Sequence, residues 1–177
     1  MDESKVKGFM FERALNYIKK KLGTNALDDL GMAPVQFLQE RWYPLSDFCS
    51  VLAHIDYQLS DYHTENVYKL GLDMIIVDPR WAHLFRGKDP KEVFTSTLRQ
   101  DDSFKVGDFE TVSIDEGRIK LKMHLLTDDP DHIRLWQEYY RGCLDGILLH
   151  IGKNGHSEVL KDPDGDIQTC IYDIFWS

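Results

Sequence analysis

The stretch YYRGCLDGILLHIGKNG, residues 139–155, decides the fold because it predicts a long, largely buried helix with two glycines one turn apart. Apolar residues recur in and before it at steps of three or four, as the buried face of an α-helix requires. The stripe consists of Ile133, Trp136, Tyr140, Cys143, Ile147 and Ile151. We therefore predict a helix from about residue 131 to residue 151.

The two glycines of this helix, Gly142 and Gly146, need a physical reason. A glycine in a helix interior costs about 1 kcal/mol relative to alanine. Two interpretations stay open. Either the helix packs closely on the sheet or on another helix, or the glycines leave room for a ligand or a twofold-related helix. Cys143 lies between them on the apolar side, which favours a packed thiol over a reactive one.

Outward from this helix, the hydrophobic period divides the chain in two. Apolar steps of three and four residues predict one helix that ends at Gly23 and further helices that begin at Ser46, at Thr64 and after Asp89. Pro34 opens another, which carries Phe37 and Leu38. Later segments alternate apolar and polar residues, with turns at Glu116-Gly117 and at DPDGD, residues 162–166, before a last strand from Ile167. The expected fold is α+β in a single domain, 1–177. A helical part, about 1–100, packs with an antiparallel sheet part, about 101–177, crossed by the long helix.

Composition excludes several classes of function. The 177 residues are 42% hydrophobic and 29% charged, with a net charge of −9, as expected of a globular chain without a nucleic-acid partner. No apolar run is long enough to span a membrane. Three widely spaced cysteines, Cys49, Cys143 and Cys170, suggest reduced thiols and a cytoplasmic location.

The chain shows no motif that carries catalysis or binds a metal. There is no HExxH or CxxC spacing, and DPDGD lacks the register of a calcium loop. No nucleophile motif or phosphate-binding glycine loop occurs. We therefore predict that the protein is not an enzyme and has no metal site evident in its sequence.

Two stretches resemble the heme-nitric-oxide/oxygen-binding (H-NOX) domains and the related 4-vinyl-reductase-type ligand-binding domains. One is VKGFMFERALNYIKKKLG, residues 6–23, which is similar to the opening of the H-NOX fold. The other is YYRGCLDGILLHIG, residues 139–152, with its Gly142–Gly146 step, followed by Gly165, Asp166 and Cys170 in the turn and last strand. The resemblance implies a sensor that holds a small ligand between its helical part and its sheet and reports it to a partner protein.

The chain departs from the heme-binding and zinc-binding patterns of these families. In KEVFTSTLRQ, residues 91–100, Phe94 stands where heme-binding members have their axial histidine. HLLTDDPDHIRLW, residues 124–136, lacks the Tyr-x-Ser-x-Arg motif that holds the heme propionates. The zinc-binding relatives have several cysteines in the C-terminal part, and this chain has two. The sequence thus argues against conventional heme and against zinc, and leaves the cofactor unknown.

We therefore predict a sensory domain for a small apolar or aromatic ligand. Helical faces and the family analogy give the candidate pocket residues, which are Trp42, Phe48, Leu52, Trp81, Phe85, Phe94 and Tyr140. Two alternatives stay open. One is a heme-binding gas sensor with an unusual axial ligand, His54 or His83. The other is a dimeric scaffold or interaction module without a ligand.

Overall fold

The computed structural model describes residues 4–23, 25–29, 31, 36–60, 64–97 and 103–177. The helices are α1 (Gly8–Leu22), α2 (Ala26–Asp29), α3 (Leu45–Ser60), α4 (Glu65–Val77), α5 (Pro79–Phe85), α6 (Pro90–Glu92), continued by a π-helical turn over Val93–Thr97, and α7 (Pro130–His150). The strands are β1 (Lys5–Lys7), β2 (Trp42–Pro44), β3 (Phe104–Lys105), β4 (Gly107–Asp115), β5 (Arg118–Leu125), β6 (Gly155–Lys161) and β7 (Thr169–Trp176). The predicted α+β class is confirmed.

Helix α1 forms where the apolar period predicts it. Phe11, Ala14 and Ile18 are buried on one face, and the helix ends at Gly23, whose φ is positive at 89°. The Gly23 amide donates a hydrogen bond to the Lys19 carbonyl, which satisfies one of the carbonyls left free at a helix end.

Two predicted details of the helical part are wrong. Helix α3 begins at Leu45, directly after Pro44 ends strand β2, so Ser46 lies inside the helix and not at its N-cap. No helix contains Phe37 and Leu38. The backbone here forms a turn, in which the Arg41 amide donates to the Leu38 carbonyl, and it bonds to helix α1, where the Phe9 amide donates to the Gln39 carbonyl. Pro34, predicted to open that helix, lies outside the described residues.

A small antiparallel sheet, in the order β2–β1–β3, joins the start of the chain to its middle. Val6 is buried on its inner face between Tyr43 and Phe104. Strands of two or three residues are too short to show an alternating pattern, which is why the sequence did not predict them.

The larger sheet is antiparallel in the order β4–β5–β7–β6. Its inner face buries the predicted residues of β5 together with those of β7: Ile119, Leu121, Met123, Leu125, Cys170, Tyr172 and Ile174. Strand β7 begins at Thr169, two residues later than predicted. Ile167 is 60% exposed, because the Asp166 carboxylate accepts the Gln168 amide and prolongs the turn.

Helix α7 spans the predicted range almost residue for residue. The Asp129 side chain accepts the amides of Asp131 and His132, and Pro130 occupies the first helical position. The helix packs against α4 most extensively and against strands β6 and β7. No helix within the described residues is both long enough and apolar enough to cross a membrane.

Candidate ligand cavity

Helices α4 and α7 meet backbone to backbone through glycines. A Cβ atom on Gly142 would collide with the carbonyl oxygen of Tyr68, and one on Gly71 would collide with the carbonyl oxygen of Tyr139. A Cβ atom on Gly146 would lie 2.9 Å from Cβ of Ile75 and 3.0 Å from the Leu72 carbonyl oxygen. The space beside Gly142 and Gly146 is therefore filled by α4.

A buried carboxylate fixes this helix pair to the sheet. Asp145 on α7 is 5% exposed, and its two oxygens accept hydrogen bonds from the Tyr68 hydroxyl on α4 at 2.8 Å and the Ser157 hydroxyl on β6 at 2.6 Å. A buried carboxylate requires such donors to offset its lost hydration. Burial and the bond to Asp145 raise the pKa of Tyr68 to about 12, so the phenol stays a donor.

A narrow cavity lies beside the helix pair, between α7, α4 and the elements that face them. About 380 Å³ between its walls is free of protein atoms, counting the part open to solvent, but only about 20 Å³ is wide enough for the centre of a water molecule. The lining residues come from α1, α4, α5, the β3 region and α7: Phe9, Met10, Met74, Ile75, Trp81, Ser103, Phe104, Tyr139, Tyr140, Cys143 and Ile147.

The lining is apolar and uncharged among the described residues. It holds no Asp, Glu, Lys, Arg or His side chain, and its polar atoms are those of Ser103, Cys143, Trp81 and the two tyrosines. Of these, the Trp81 indole nitrogen is buried and has no hydrogen-bond acceptor within the described part of the chain. An apolar cavity with few polar atoms favours a neutral, weakly polar molecule.

The structure brings two of the seven predicted pocket residues, Trp81 and Tyr140, to the cavity wall. Phe85 lies behind Trp81, with the two rings parallel and their centroids 5.6 Å apart. Phe48 is buried against Tyr139, with ring centroids 5.3 Å apart. These four rings belong to the cavity and the layer that supports it.

The other three predicted pocket residues lie away from the cavity. Leu52 is buried in the core on α3, and Phe94 packs on Trp176, with ring centroids 6.2 Å apart. Trp42 lies on the outer face of the small sheet, where the ammonium groups of Lys7 and Lys105 lie 5.5 Å and 4.9 Å from its ring centroid.

The predicted alternative axial ligands also lie away from the cavity. His54 is partly buried on α3, and His83 is exposed on α5. Neither lines the cavity. No group of three or more His, Cys, Asp or Glu side chains in the described ranges could hold a metal ion.

The described lining residues do not fit the heme that the resemblance implies. The heme-binding pattern that the resemblance implies needs an axial histidine for the iron and an arginine for the propionates, and the described lining supplies neither a histidine nor a cationic side chain. The cavity is also far too narrow for a tetrapyrrole between the walls as they stand.

Sequence reasoning missed the cavity residues at the start of α1 and in the β3 region, and it missed Gly71. The role of Gly71 could have been predicted from its place in the sequence. In KLGLDMII, residues 69–76, Gly71 interrupts a helical segment just as Gly142 interrupts α7. Two helices that each carry an interior glycine are candidates to pack at those glycines.

Comparison with known proteins identifies the fold. No protein-family model matches the chain, and no curated protein matches its sequence. The Fe(II) unliganded H-NOX protein from K. algicida matches with a TM-score of 0.69 at 14% identity, over 97% of this chain and 96% of that chain. A mutant of the T. Tengcongensis H-NOX protein matches with a TM-score of 0.68 at 12% identity, over 97% of both chains.

An H-NOX protein from S. oneidensis, crystallised as a mutant in the Fe(II) ligation state, matches with a TM-score of 0.66 at 13% identity, over 97% of this chain and 96% of that chain. Likeness at such low identity bears on architecture and not on ligand. Since nearly the whole of each chain is covered, the predicted resemblance is confirmed at the level of the fold: this chain has the fold of the H-NOX domains.

Proposed function

We propose that this chain is a sensory domain that binds a small apolar or aromatic molecule in the cavity, without a conventional heme, and passes the ligand state to a partner protein. The observation that carries the proposal is the uncharged, aromatic-lined cavity whose walls come from both the helical part and α7. The H-NOX fold supports a ligand-binding role by analogy.

The walls of the cavity come from two pairs of helices. On one side, Met74 and Cys143 belong to helices α4 and α7, which the glycine contact and Asp145 hold together. On the other side, Phe9 and Trp81 belong to α1 and α5. A ligand wider than the cavity therefore displaces the α1 and α5 side, and a partner that contacts this side would read the displacement as a population shift.

A non-catalytic role agrees with the lining. Cys143 is the only described lining residue with a thiol, and no histidine or carboxylate lines the cavity with it to act as a base. All three cysteines are buried and none forms a disulfide, which supports a reduced, cytoplasmic location. Homodimer formation stays a prediction.

Xenon, which enters dry apolar cavities, tests whether the cavity binds ligands. We expect xenon to shift the NMR resonances of Ile75, Trp81 and Ile147 in the purified protein. The substitution Cys143→Met, which fills the cavity, abolishes these shifts. Cys49→Met is the matched control, because Cys49 is buried on α3 and does not line the cavity.

Absence of any xenon-induced shift at the lining residues would overturn the proposed site. A strong Soret band in the purified protein that His54→Ala or His83→Ala abolishes would replace it with the heme-sensor alternative. A stable dimer in native mass spectrometry, without a bound small molecule and without xenon binding, would favour the scaffold alternative.

A further inference from the structure

The Trp81 indole N–H is a hydrogen-bond donor in the cavity wall without an acceptor. Trp81 is 7% exposed, and its Nε1 atom is buried with no partner among the described residues. The parallel stack with Phe85 holds its ring plane. Nearly all buried polar groups in folded proteins are hydrogen-bonded, so an orphaned donor at a cavity calls for a missing acceptor.

The other polar atoms of the wall do not supply that acceptor. Ser103, Tyr139, Tyr140 and Cys143 each have another interaction in the protein. The remaining lining is aliphatic, aromatic or thioether, with Met10 and Met74 as the two most pliable side chains. A molecule in the cavity therefore meets a mostly apolar surface, in which the Trp81 N–H is a donor without a described acceptor.

We propose that the cavity selects neutral molecules that carry a single hydrogen-bond acceptor, which takes the Trp81 N–H. The inference rests on the proposed function and names the chemical class of its ligand. A charged ligand is disfavoured because no described lining residue carries a compensating charge. A purely apolar ligand leaves the buried N–H unsatisfied, whereas a carbonyl, ether or aromatic-nitrogen acceptor satisfies it.

Benzene and pyridine test this selection, since they have the same shape and differ by one acceptor nitrogen. At pH 8 pyridine is uncharged. Their dissociation constants are measured by NMR titration on the wild type, on Trp81→Phe and on Trp136→Phe. Trp136 is the matched control, because its indole nitrogen is also buried without a described partner but the residue does not line the cavity.

We expect Trp81→Phe to weaken pyridine binding relative to benzene binding by about fivefold, the value of one net hydrogen bond. Trp136→Phe leaves the ratio unchanged. A second readout needs no variant: pyridine, but not benzene, moves the indole proton of Trp81 downfield in the wild-type spectrum.

The proposed selection is wrong if Trp81→Phe leaves the ratio of the pyridine and benzene dissociation constants unchanged, or if the indole proton of Trp81 does not respond to pyridine. In either case, binding of benzene would still agree with the proposed function. Those results assign the N–H to a bound water, for which the cavity is large enough. Failure of both probes to bind overturns the selection and, together with a failed xenon experiment, the proposed function as well.

Discussion

Replacing Gly142 by alanine tests the contact between α4 and α7 most directly. The new Cβ atom would collide with the Tyr68 carbonyl oxygen and lie 2.9 Å from the Leu72 amide nitrogen, whereas real Cβ atoms essentially never come within 3.0 Å of such atoms. Both obstacles are backbone, so no rotamer change relieves them. The helices must separate by about 1.5 Å before the contact becomes an ordinary one.

The expected cost follows from two opposing terms. Overpacking a well-packed interior costs about 1–3 kcal/mol, and a backbone obstacle places this site at or above the upper end. The alanine regains about 1 kcal/mol of helix propensity. We therefore expect Gly142→Ala to lower the free energy of unfolding by about 2 kcal/mol, or the Tm by roughly 4–8 °C for a chain of this size.

Urea denaturation followed by circular dichroism measures this change, and two companion variants sharpen it. Gly71→Ala meets the Tyr139 carbonyl oxygen from the other helix and has a similar cost. Gly146→Ala brings its Cβ atom to 2.9 Å from Cβ of Ile75 and 3.0 Å from the Leu72 carbonyl oxygen, a smaller overlap than at Gly142, so its cost is smaller. The double variant Gly71→Ala/Gly142→Ala costs less than the sum, because the first separation makes room for the second methyl group. A Gly142→Ala protein as stable as the wild type, or a Gly146→Ala protein less stable than the Gly142→Ala protein, would contradict this prediction.

Three further predictions concern buried polar groups. Burial raises the pKa of Asp78, but hydrogen bonds from Arg80 and the charges of Arg80 and Arg13 outweigh it, so the folded-state pKa lies below the ordinary 3.8. The carboxylate therefore stabilises the fold above pH 4 and loses this effect as the pH falls below that value. We expect Asp78→Asn to flatten the stability profile between about pH 5 and pH 3 in acid titrations followed by circular dichroism, and a profile as steep as that of the wild type would contradict the ion pair. Tyr68→Phe removes a hydrogen bond to buried Asp145 and lowers the free energy of unfolding by about 1–3 kcal/mol in urea denaturation, while unchanged stability would mean that Asp145 finds another donor. Burial raises the pKa of Cys49 to about 12 and that of Cys170 to about 11, so neither thiol reacts with a disulfide reagent at pH 8 until the protein is unfolded; rapid labelling of either in the native protein, mapped by mass spectrometry, would contradict their burial.

The long elements could be predicted because each repeats its pattern several times. Helix α7 shows its buried stripe over five turns and carries a capping Asp129 followed by Pro130, so its range followed from the sequence. Strand β5 alternates over eight residues. By contrast, β1 and β3 show no period, and Ile167 was assigned to a strand because the Asp166 turn competes with strand pairing through a side-chain bond that apolar alternation does not reveal.

The cavity could be predicted only in part, for a different physical reason. Helical faces show which residues point inward, and they led to Trp81 and Tyr140. They do not show which inward faces meet. In the structure, Phe48 and Leu52 fill the core, whereas Phe9 and Met10, from the first turn of α1, line the cavity. Trp42 illustrates the same limit, since its large apolar ring is covered by lysine side chains on an outer face.

The glycine contact also restricts how a signal can cross the molecule. Gly71 and Gly142 oppose a shift of α7 by one residue, because such a shift, with the turn of about 100° that helix geometry requires, would bring the side chain of Arg141 or Cys143 to the position that admits no Cβ atom. The same atoms oppose small rotations of α7 about its own axis. If the proposed function holds, we therefore expect α7 to keep its position on α4 and ligand-dependent motion to occur in α1 and α5.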